Sequence, residues 1–282
     1  MSDYIARLED LTPIFAGQGI MHFAPVAFSD CLPSNERLFA AAQGKGIRTA
    51  IMYLAPYFYR DAQRNISLYA VSEGYHEILG ELTQGIIGDL AARYPVESFE
   101  NFADHSPILE VDACIKGGLG FIGDNGLLIH PVAGSYSFIG GIYTTLDCEG
   151  STPLGVSGCG SCGECKAACP VGLDKSRCLS YISQKKVLDE GDEEFLRENK
   201  CVWGCDICQE VCPHNSDLEQ TEIEAFLVRR TPVLSQELLD GMSDEEFRRR
   251  GYAWRGKGTI ARNLRIAFGT EAQSVMENKH SG

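Results

Sequence analysis

An α/β (α+β) domain, then a small cysteine-rich domain, then a helical C-terminal segment is the fold class this sequence predicts. Three observations predict it. Residues 159–170 read CGSCGECKAACP and residues 205–213 read CDICQEVCP, two tight cysteine runs that both end in x3-C-P. Roughly 150 residues precede them, enough chain to bury a core of its own. Within that stretch apolar residues recur at strand spacing in some places and at helix spacing in others. The expected boundaries are 1–152, 153–216 and 217–282.

Ile5, Leu8 and Leu11 open the chain at helical spacing. RTAIMYLAPYFY at 48–59 begins as a buried strand and breaks at Pro56, which has no N–H to give a ladder. Residues 75–93 carry Ile78, Leu82, Ile86 and Leu90 on one face of an amphipathic helix. Residues 126–130 and 135–146 read as two strands joined by a turn at 131–134. Beyond the cysteines, SDEE at 243–246 is a capping box that starts a helix, and 259–268 forms another. Gly118, Gly120 and Gly123 make a G-x-G-x-x-G. A dinucleotide fingerprint needs a helix after it and an acid about twenty residues on. Here Asp124-Asn125-Gly126 and a strand-like GLLI follow, so the stretch reads as a tight loop where backbone approaches a neighbour closely.

The first cysteine run, C-x2-C-x2-C-x3-C-P, is the bacterial ferredoxin pattern. Three of its thiolates hold one [4Fe-4S] cube and the fourth reaches a second cube. The chain is therefore expected to move electrons singly through two clusters in a ferredoxin-like domain. Two cubes need eight of the twelve cysteines. Crossed ligation gives one cube to Cys159, Cys162, Cys165 and Cys212. The other takes Cys169, Cys205, Cys208 and one remote cysteine, for which spacing leaves both Cys178 and Cys201 open. Zinc shares the C-x2-C spacing, but its four-ligand demand explains neither the third cysteine of the first run nor the two x3-C-P endings. Cys31, Cys114 and Cys148 have no motif around them and read as buried thiols. His105 and His130 stand singly and read as structural. MSDYIARLED does not resemble a signal peptide, and no long uncharged apolar run suggests a membrane span. So many thiols suit a reducing cytoplasm.

At 44% hydrophobic and 23% charged residues the 282-residue chain is ordinary globular protein. A net charge of −14 is unfavourable for RNA. Yet Arg229, Arg230, Arg248, Arg249, Arg250, Arg255, Lys257, Arg262 and Arg265 face only five acids within 229–265. That stretch reads either as a phosphate-contacting face or as a solvated, ion-paired helix surface.

DHSPILE at 104–110, GGLGFIGDNGLLIHP at 117–131, GSYSFIGGIYTTL at 134–146 and the two cysteine runs follow one another in an order that resembles the epoxyqueuosine reductase family. LAPYFY, SLYAVSEGYHEIL and SDEEFRRRGYAWRGKGTIARNLRIAFG extend the similarity over about residues 48–268. The resemblance implies a cobalamin- and [4Fe-4S]-dependent reductase related to reductive dehalogenases. The N-terminal domain would hold base-off cobalamin, and the enzyme would reduce the epoxide of epoxyqueuosine in tRNA to queuosine. Asp104 matches the family's proton donor, Cys178 its remote cluster ligand, and Gly134, Ser135 and Tyr136 the segment lining the corrin. The implied partners are a tRNA anticodon loop and a low-potential electron donor such as ferredoxin or flavodoxin. The family's arginine-rich stretch ahead of the first strand is absent here. Its ER pair is Glu110-Val111, and the C-terminal HEAT-type repeats of many members do not follow. Two other functions therefore stand beside this one: a corrinoid iron–sulfur reductase of a small molecule, and a non-enzymatic ferredoxin-like electron carrier.

Overall fold

The computed structural model describes residues 4–61, 63–101, 106–151 and 158–269. In chain order the first elements are β1 (Ile5–Ala6), α1 (Leu8–Ala16), β2 (His22–Ala27), α2 (Glu36–Gly44), β3 (Thr49–Pro56), α3 (Tyr75–Arg93), β4 (Phe99–Glu100), α4 (Glu110–Lys116), β5 (Phe121–Ile122), β6 (Leu128–Ile129), β7 (Ser137–Thr144) and β8 (Asp147–Cys148). They are followed by α5 (Glu164–Ala168), α6 (Leu179–Ser183), α7 (Glu190–Glu198), α8 (Ile207–Glu210), α9 (Glu224–Leu227), α10 (Gln236–Gly241), α11 (Asp244–Arg248) and α12 (Lys257–Phe268).

The main sheet has the order β2-β3-β7-β4, and every pair in it is antiparallel. His22 lies opposite Leu54, and Thr49 opposite Thr144. Strand β3 is buried along almost its whole length, which is why it reads as a continuous apolar run rather than an alternating one. Its even residues Ala50, Met52 and Leu54 pack with Ala42 of α2 and with Ala113 and Cys114 of α4. On the opposite face Phe15 of α1 stacks on Phe23 at 4.2 Å and meets Tyr53 edge-on. The Tyr53 hydroxyl bonds Thr83 of α3 at 2.6 Å. Helices thus cover both faces, as in an α/β protein, while the strand directions are those of an α+β protein. Gly140 of β7 has no side chain because the Tyr53 ring occupies the place a Cβ would take.

The chain divides into two compact units. Unit 1 takes the described parts of Met1–Phe58, His76–Gly163 and Pro213–Glu224; unit 2 takes those of Tyr59–Tyr75, Glu164–Cys212 and Ala225–Gly282. This differs from the contiguous division at 152 and 216, because hydrogen bonds return the chain after Cys212 to unit 1. Asn215 bonds Ser135, and the Thr221 N–H and hydroxyl reach the Phe58 and Pro56 carbonyls.

The helix read over 75–93 coincides with α3, and the strand over 48–59 stops at Pro56 as β3. The helix foreseen from Ile5 starts later, at Leu8, because Ile5 and Ala6 pair with Asp147 and Cys148. The strand expected over 126–130 shrinks to Leu128–Ile129 and pairs with β5 rather than continuing into the main sheet. Gly120, at φ +147°, closes that hairpin: a Cβ there would strike the Ile129 carbonyl oxygen. The glycine-rich stretch is therefore a hairpin, and no helix follows it.

Unit 2 is built from short helices around a small apolar cluster of Leu179, Ile182, Leu196 and Cys201. Capping boxes start α7 at Asp189 and, as the sequence foretold, α11 at Ser243. The fully buried Asn263 of α12 donates to the Ser183 and Val202 carbonyls at 2.7 and 2.8 Å. Among the described residues no helix is long and apolar enough to cross a membrane.

Candidate metal centre

The second thiol group lies wholly in unit 2. Cys169 follows α5, which packs on α8, and α8 carries Cys208 with Cys205 just before it. Between Cys169 and Cys178 the chain reverses through Gly172 and Leu173, both with positive φ (59° and 70°). Cys178 then starts α6, where its carbonyl accepts the Ile182 N–H at 2.9 Å. These four thiols share one electrostatic neighbourhood. Burial first, then Cys205, Cys178 and Cys169, push the Cys208 thiol up to about 12. Burial, with smaller contributions from Cys178 and Cys169, pushes Cys205 up to about 11. Crowded, half-buried thiols resist ionisation alone; bound cations reverse that cost.

Cys201 sits close to this group, within the fields of Cys205 and Cys178, but is occupied otherwise. Its Sγ donates to the Gly204 carbonyl at 3.0 Å and it packs in the apolar cluster. Burial raises its thiol pKa further than those of its neighbours. Cys31 and Cys114 are buried in unit 1, as read; Cys148 is half-buried there.

Of the first thiol group, Cys159 and Cys162 belong to unit 1, whereas Cys165 and Cys212 belong to unit 2. The backbone at Gly158, Gly160, Ser161 and Gly163 is left-handed at each position (φ 80°, 74°, 48° and 83°). Such turns gather N–H groups into a concavity of the kind that holds anionic clusters. Cys159 Sγ donates to Asp124 Oδ1 at 3.5 Å, and the Ser161 hydroxyl reaches the same oxygen at 3.2 Å. Among the described residues no three Cys, His, Asp or Glu side chains converge on a single ion. Zinc would require thiolates within about 2.3 Å of one centre.

Asp206, between two of these cysteines, is only 6% exposed and is a hub. Its carboxylate accepts from Ser67 Oγ (2.5 Å), Leu68 N (2.6 Å), Arg64 Nη1 (2.9 Å) and Gln209 Nε2 (3.0 Å). As the residue that precedes α8 it fixes the entry into that helix, between Cys205 and Cys208.

Asp104 and His105 lie outside the described residues. The chain that follows them is anchored in unit 1: Ser106 Oγ and the Tyr143 hydroxyl are 2.7 Å apart, and Ser34 N–H bonds the Pro107 carbonyl. Gly134 is left-handed (φ +63°), and a Cβ there would strike Asn215 Oδ1. Asn215 grips the next residue twice, taking the Ser135 N–H and giving its own N–H to Ser135 Oγ, both at 2.9 Å. Tyr136 is buried against Tyr57 and Phe58. These side chains are engaged in the fold, so backbone is what this turn offers a ligand. His130 closes the turn, its Nδ1 accepting the Val132 and Ala133 N–H groups at 3.1 and 3.0 Å. Its ring lies 4.0 Å from that of His22, and burial with His22 holds its pKa down at about 4. Next along the chain, Ser137 Oγ is buried with no hydrogen-bond partner among the described residues. A buried hydroxyl without a partner among the described residues fits an amide-fringed macrocycle.

The basic stretch divides. Arg249 pairs with Glu245 at 2.8 Å, Arg250 Nη1 donates to the Arg229 carbonyl, Arg229 pairs with Glu73 and Arg230 with Asp61. Much of it is thus an ion-paired surface, while Arg248 and Arg255 have no acceptor among the described residues. Sequence reasoning missed Asn215, Asp206 and Asp124. Only Asn215 left a signal, its position directly after the C-P-H of the second run.

Paired thiol groups on an α/β/α scaffold define an iron–sulfur protein with two clusters. Residues 158–215, which contain all eight assigned cysteines, match the family of 4Fe-4S double cluster binding domains. The epoxyqueuosine reductase of Gloeobacter violaceus is 32% identical over 234 residues, 76% of this chain and 72% of that protein. That of Lactococcus garvieae is 35% identical over 219 residues, 70% of this chain and 59% of that protein. The Escherichia coli enzyme is 32% identical over 220 residues, 72% and 57% respectively. The solved epoxyqueuosine reductase of Streptococcus thermophilus shares the fold at TM-score 0.75 and 22% identity, over 92% of this chain and 80% of that one. Another, crystallised with an epoxyqueuosine-modified tRNA-Tyr stem loop, superposes at 0.74 and 23% over the same shares. The chain belongs to the epoxyqueuosine reductase family. It spans 59%, 53% and 57% of the length of three such relatives.

Proposed function

We propose that this chain reduces the epoxide of epoxyqueuosine in tRNA to queuosine. Family membership together with the double-cluster thiol set carries the reading. The net reaction takes up two electrons and two protons: both C–O bonds of the epoxide break, a C=C bond forms, and the oxygen leaves as water. When bound, the two [4Fe-4S] clusters supply one-electron steps from a low-potential donor such as ferredoxin or flavodoxin, and cobalamin supplies a reducible cobalt centre. Cys159, Cys162, Cys165 and Cys212 would hold one cluster; Cys169, Cys178, Cys205 and Cys208 would hold the other. Ser137 Oγ and the backbone of Gly134, Ser135 and Tyr136 would hold the corrin, with Asn215 and His130 fixing that turn. Asp104 would give the proton that turns a poor leaving group into water, which requires surroundings that raise its pKa toward neutrality. Reducing chemistry and thiol ligation support a cytoplasmic location.

The test is anaerobic turnover of an epoxyqueuosine-containing stem loop by cluster-loaded protein with cobalamin. Asp104→Asn keeps size but not the proton, so turnover should fall about a hundredfold or more while corrin binding survives. Full activity in that variant would remove Asp104 from the chemistry. One observation favours the small-molecule reductase instead: most arginines of the basic stretch are already paired on the protein. Absence of stem-loop binding at low salt would select it.

A further inference from the structure

The chain has two tryptophans, and their settings are opposite. Trp203 is fully buried, while Trp254 is 61% exposed although its ring meets Trp203 edge-on at 6.0 Å and 81°. The Arg255 guanidinium lies 4.0 Å over the Trp254 ring, and its Nε is buried with no acceptor among the described residues. The next residues, Gly256-Lys257-Gly258, start the twelve-residue α12. That helix has neither a side-chain cap nor an acid in its first turn. A Cβ at Gly256 or Gly258 would meet nothing within 4 Å, so backbone N–H groups at the positive end of the helix can be approached closely. The neighbouring Lys257 is committed elsewhere, its Nζ donating to the Met242 carbonyl at 2.6 Å and facing Asp244 at 3.9 Å.

An exposed indole with a guanidinium over one face that has no acceptor among the described residues, beside an uncapped, glycine-flanked helix start, complements a base stacked on the other face and its phosphate. We propose that Trp254, Arg255 and the first turn of α12 bind one nucleotide unit of single-stranded RNA, the base stacked on Trp254 and the phosphate held by Arg255 and the helix N–H groups. A single strand is required, since only an unstacked base offers its face to an aromatic ring. On a chain of net charge −14, RNA needs such a local anchor. The site rests on the tRNA reading and names where a nucleotide outside the reacting one is gripped.

The experiment measures binding of a fluorescein-labelled anticodon stem-loop RNA to the cluster-loaded protein by anisotropy across a salt series. Trp254→Ala should weaken binding about tenfold to a hundredfold, the range of one lost base–aromatic stack, with little change in salt dependence. Trp254→Phe should recover most of the loss. Arg255→Ala should flatten the slope of log K against log salt by about 0.7, one single-strand phosphate contact. Iron content and far-UV circular dichroism should match the parent throughout. If Trp254→Ala does not fold, Trp254→Leu takes its place. Parental affinity in the Trp254 variant, or equal affinity for fully duplex RNA of the same length, overturns the site. Epoxide turnover on the modified stem loop is scored separately. Its absence alongside Trp254-dependent binding would sink the reductase reading and spare the site, and turnover with Trp254-independent binding would do the reverse.

Discussion

Unit 1 buries a sheet between two helical layers, and its largest buried side chains include Tyr53, Tyr143, Phe15, Phe28, Leu11 and Ile51. Unit 2 has a four-residue apolar cluster, short helices, the Asp206 hub and a crowd of half-buried thiols. Both regions remove apolar area from water, unit 2 through Trp203, Tyr252 and Phe226 as well as that cluster. Unit 2 adds the Asp206 network and whatever binds its thiols, so metal ligation there is also folding free energy. The difference is that six of the eight assigned thiols lie in unit 2, so its folding is the more closely coupled to what they bind.

Ligand loss in unit 2 should have the largest effect. Anaerobically reconstituted protein should carry about eight irons per chain, from two cubes. Cys178→Ser should drop this to about four, and amide exchange should then quicken across 164–212 while β3 and β7 keep their protection. Cys201→Ser should keep all the iron. The reverse result would exchange the roles of these two cysteines.

Asp206→Ala comes next. It leaves the guanidinium of Arg64, buried on its Asp206 side, with Glu210 as its remaining charge partner and orphans the Leu68 N–H. Breaking a buried charged network of this kind costs about 3–5 kcal/mol. Denaturant unfolding of the holoprotein should show that loss, with faster release of the second cluster.

In unit 1 the sensitive group is His130. Its folded pKa, about 4, lies below the ordinary histidine value of 6.5, so the unfolded chain binds the proton first. The stability it contributes is whole above about pH 6.5 and is lost as pH falls toward 4. The loss should be on the order of 2 kcal/mol for a ring still partly solvated. Protonated Nδ1 can no longer accept from Val132 and Ala133, so the turn at 130–134 should loosen in the same window. His130→Asn should flatten the acid limb of the stability curve between pH 6.5 and 4; an unchanged limb would assign it to other groups.

The smallest change is at Ser243, whose hydroxyl accepts the Glu246 N–H at 3.2 Å in the capping box of α11. Ser243→Ala should cost about 1 kcal/mol, with iron content unchanged. A loss several times larger would mean that α11 supports the thiol region more directly than a surface cap does.

Much of this was legible in the chain. The spacing of Cys159 to Cys169 and of Cys205 to Cys212 dictates cluster chemistry, because few arrangements of thiolates wrap a cube. Pro56 and the apolar period of 75–93 placed β3 and α3, since both signals are local. The hairpin partner of β6 was not legible, because two-residue strands leave no period to read. Nor was the choice between Cys178 and Cys201 by spacing alone: both stand within reach of Cys205 in sequence, and only the family resemblance favoured Cys178. The basic stretch looked uniform until Glu245, Glu73, Asp61 and the Arg229 carbonyl were found to occupy half of its arginines.

By itself the sequence determined the double-cluster cysteine pattern, the α/β character of the first half and the local helix signals, because each is encoded by neighbours a few residues apart. Only the tertiary structure decided that all main-sheet strands run antiparallel and that residues 213–224 return to unit 1. It alone set Asn215 to grip the turn at Ser135, Asp206 to organise α8, and Trp254 to stay exposed. Those outcomes depend on contacts between residues as much as 140 positions apart, such as Arg64 with Asp206 at |i−j| = 142, which no local pattern encodes.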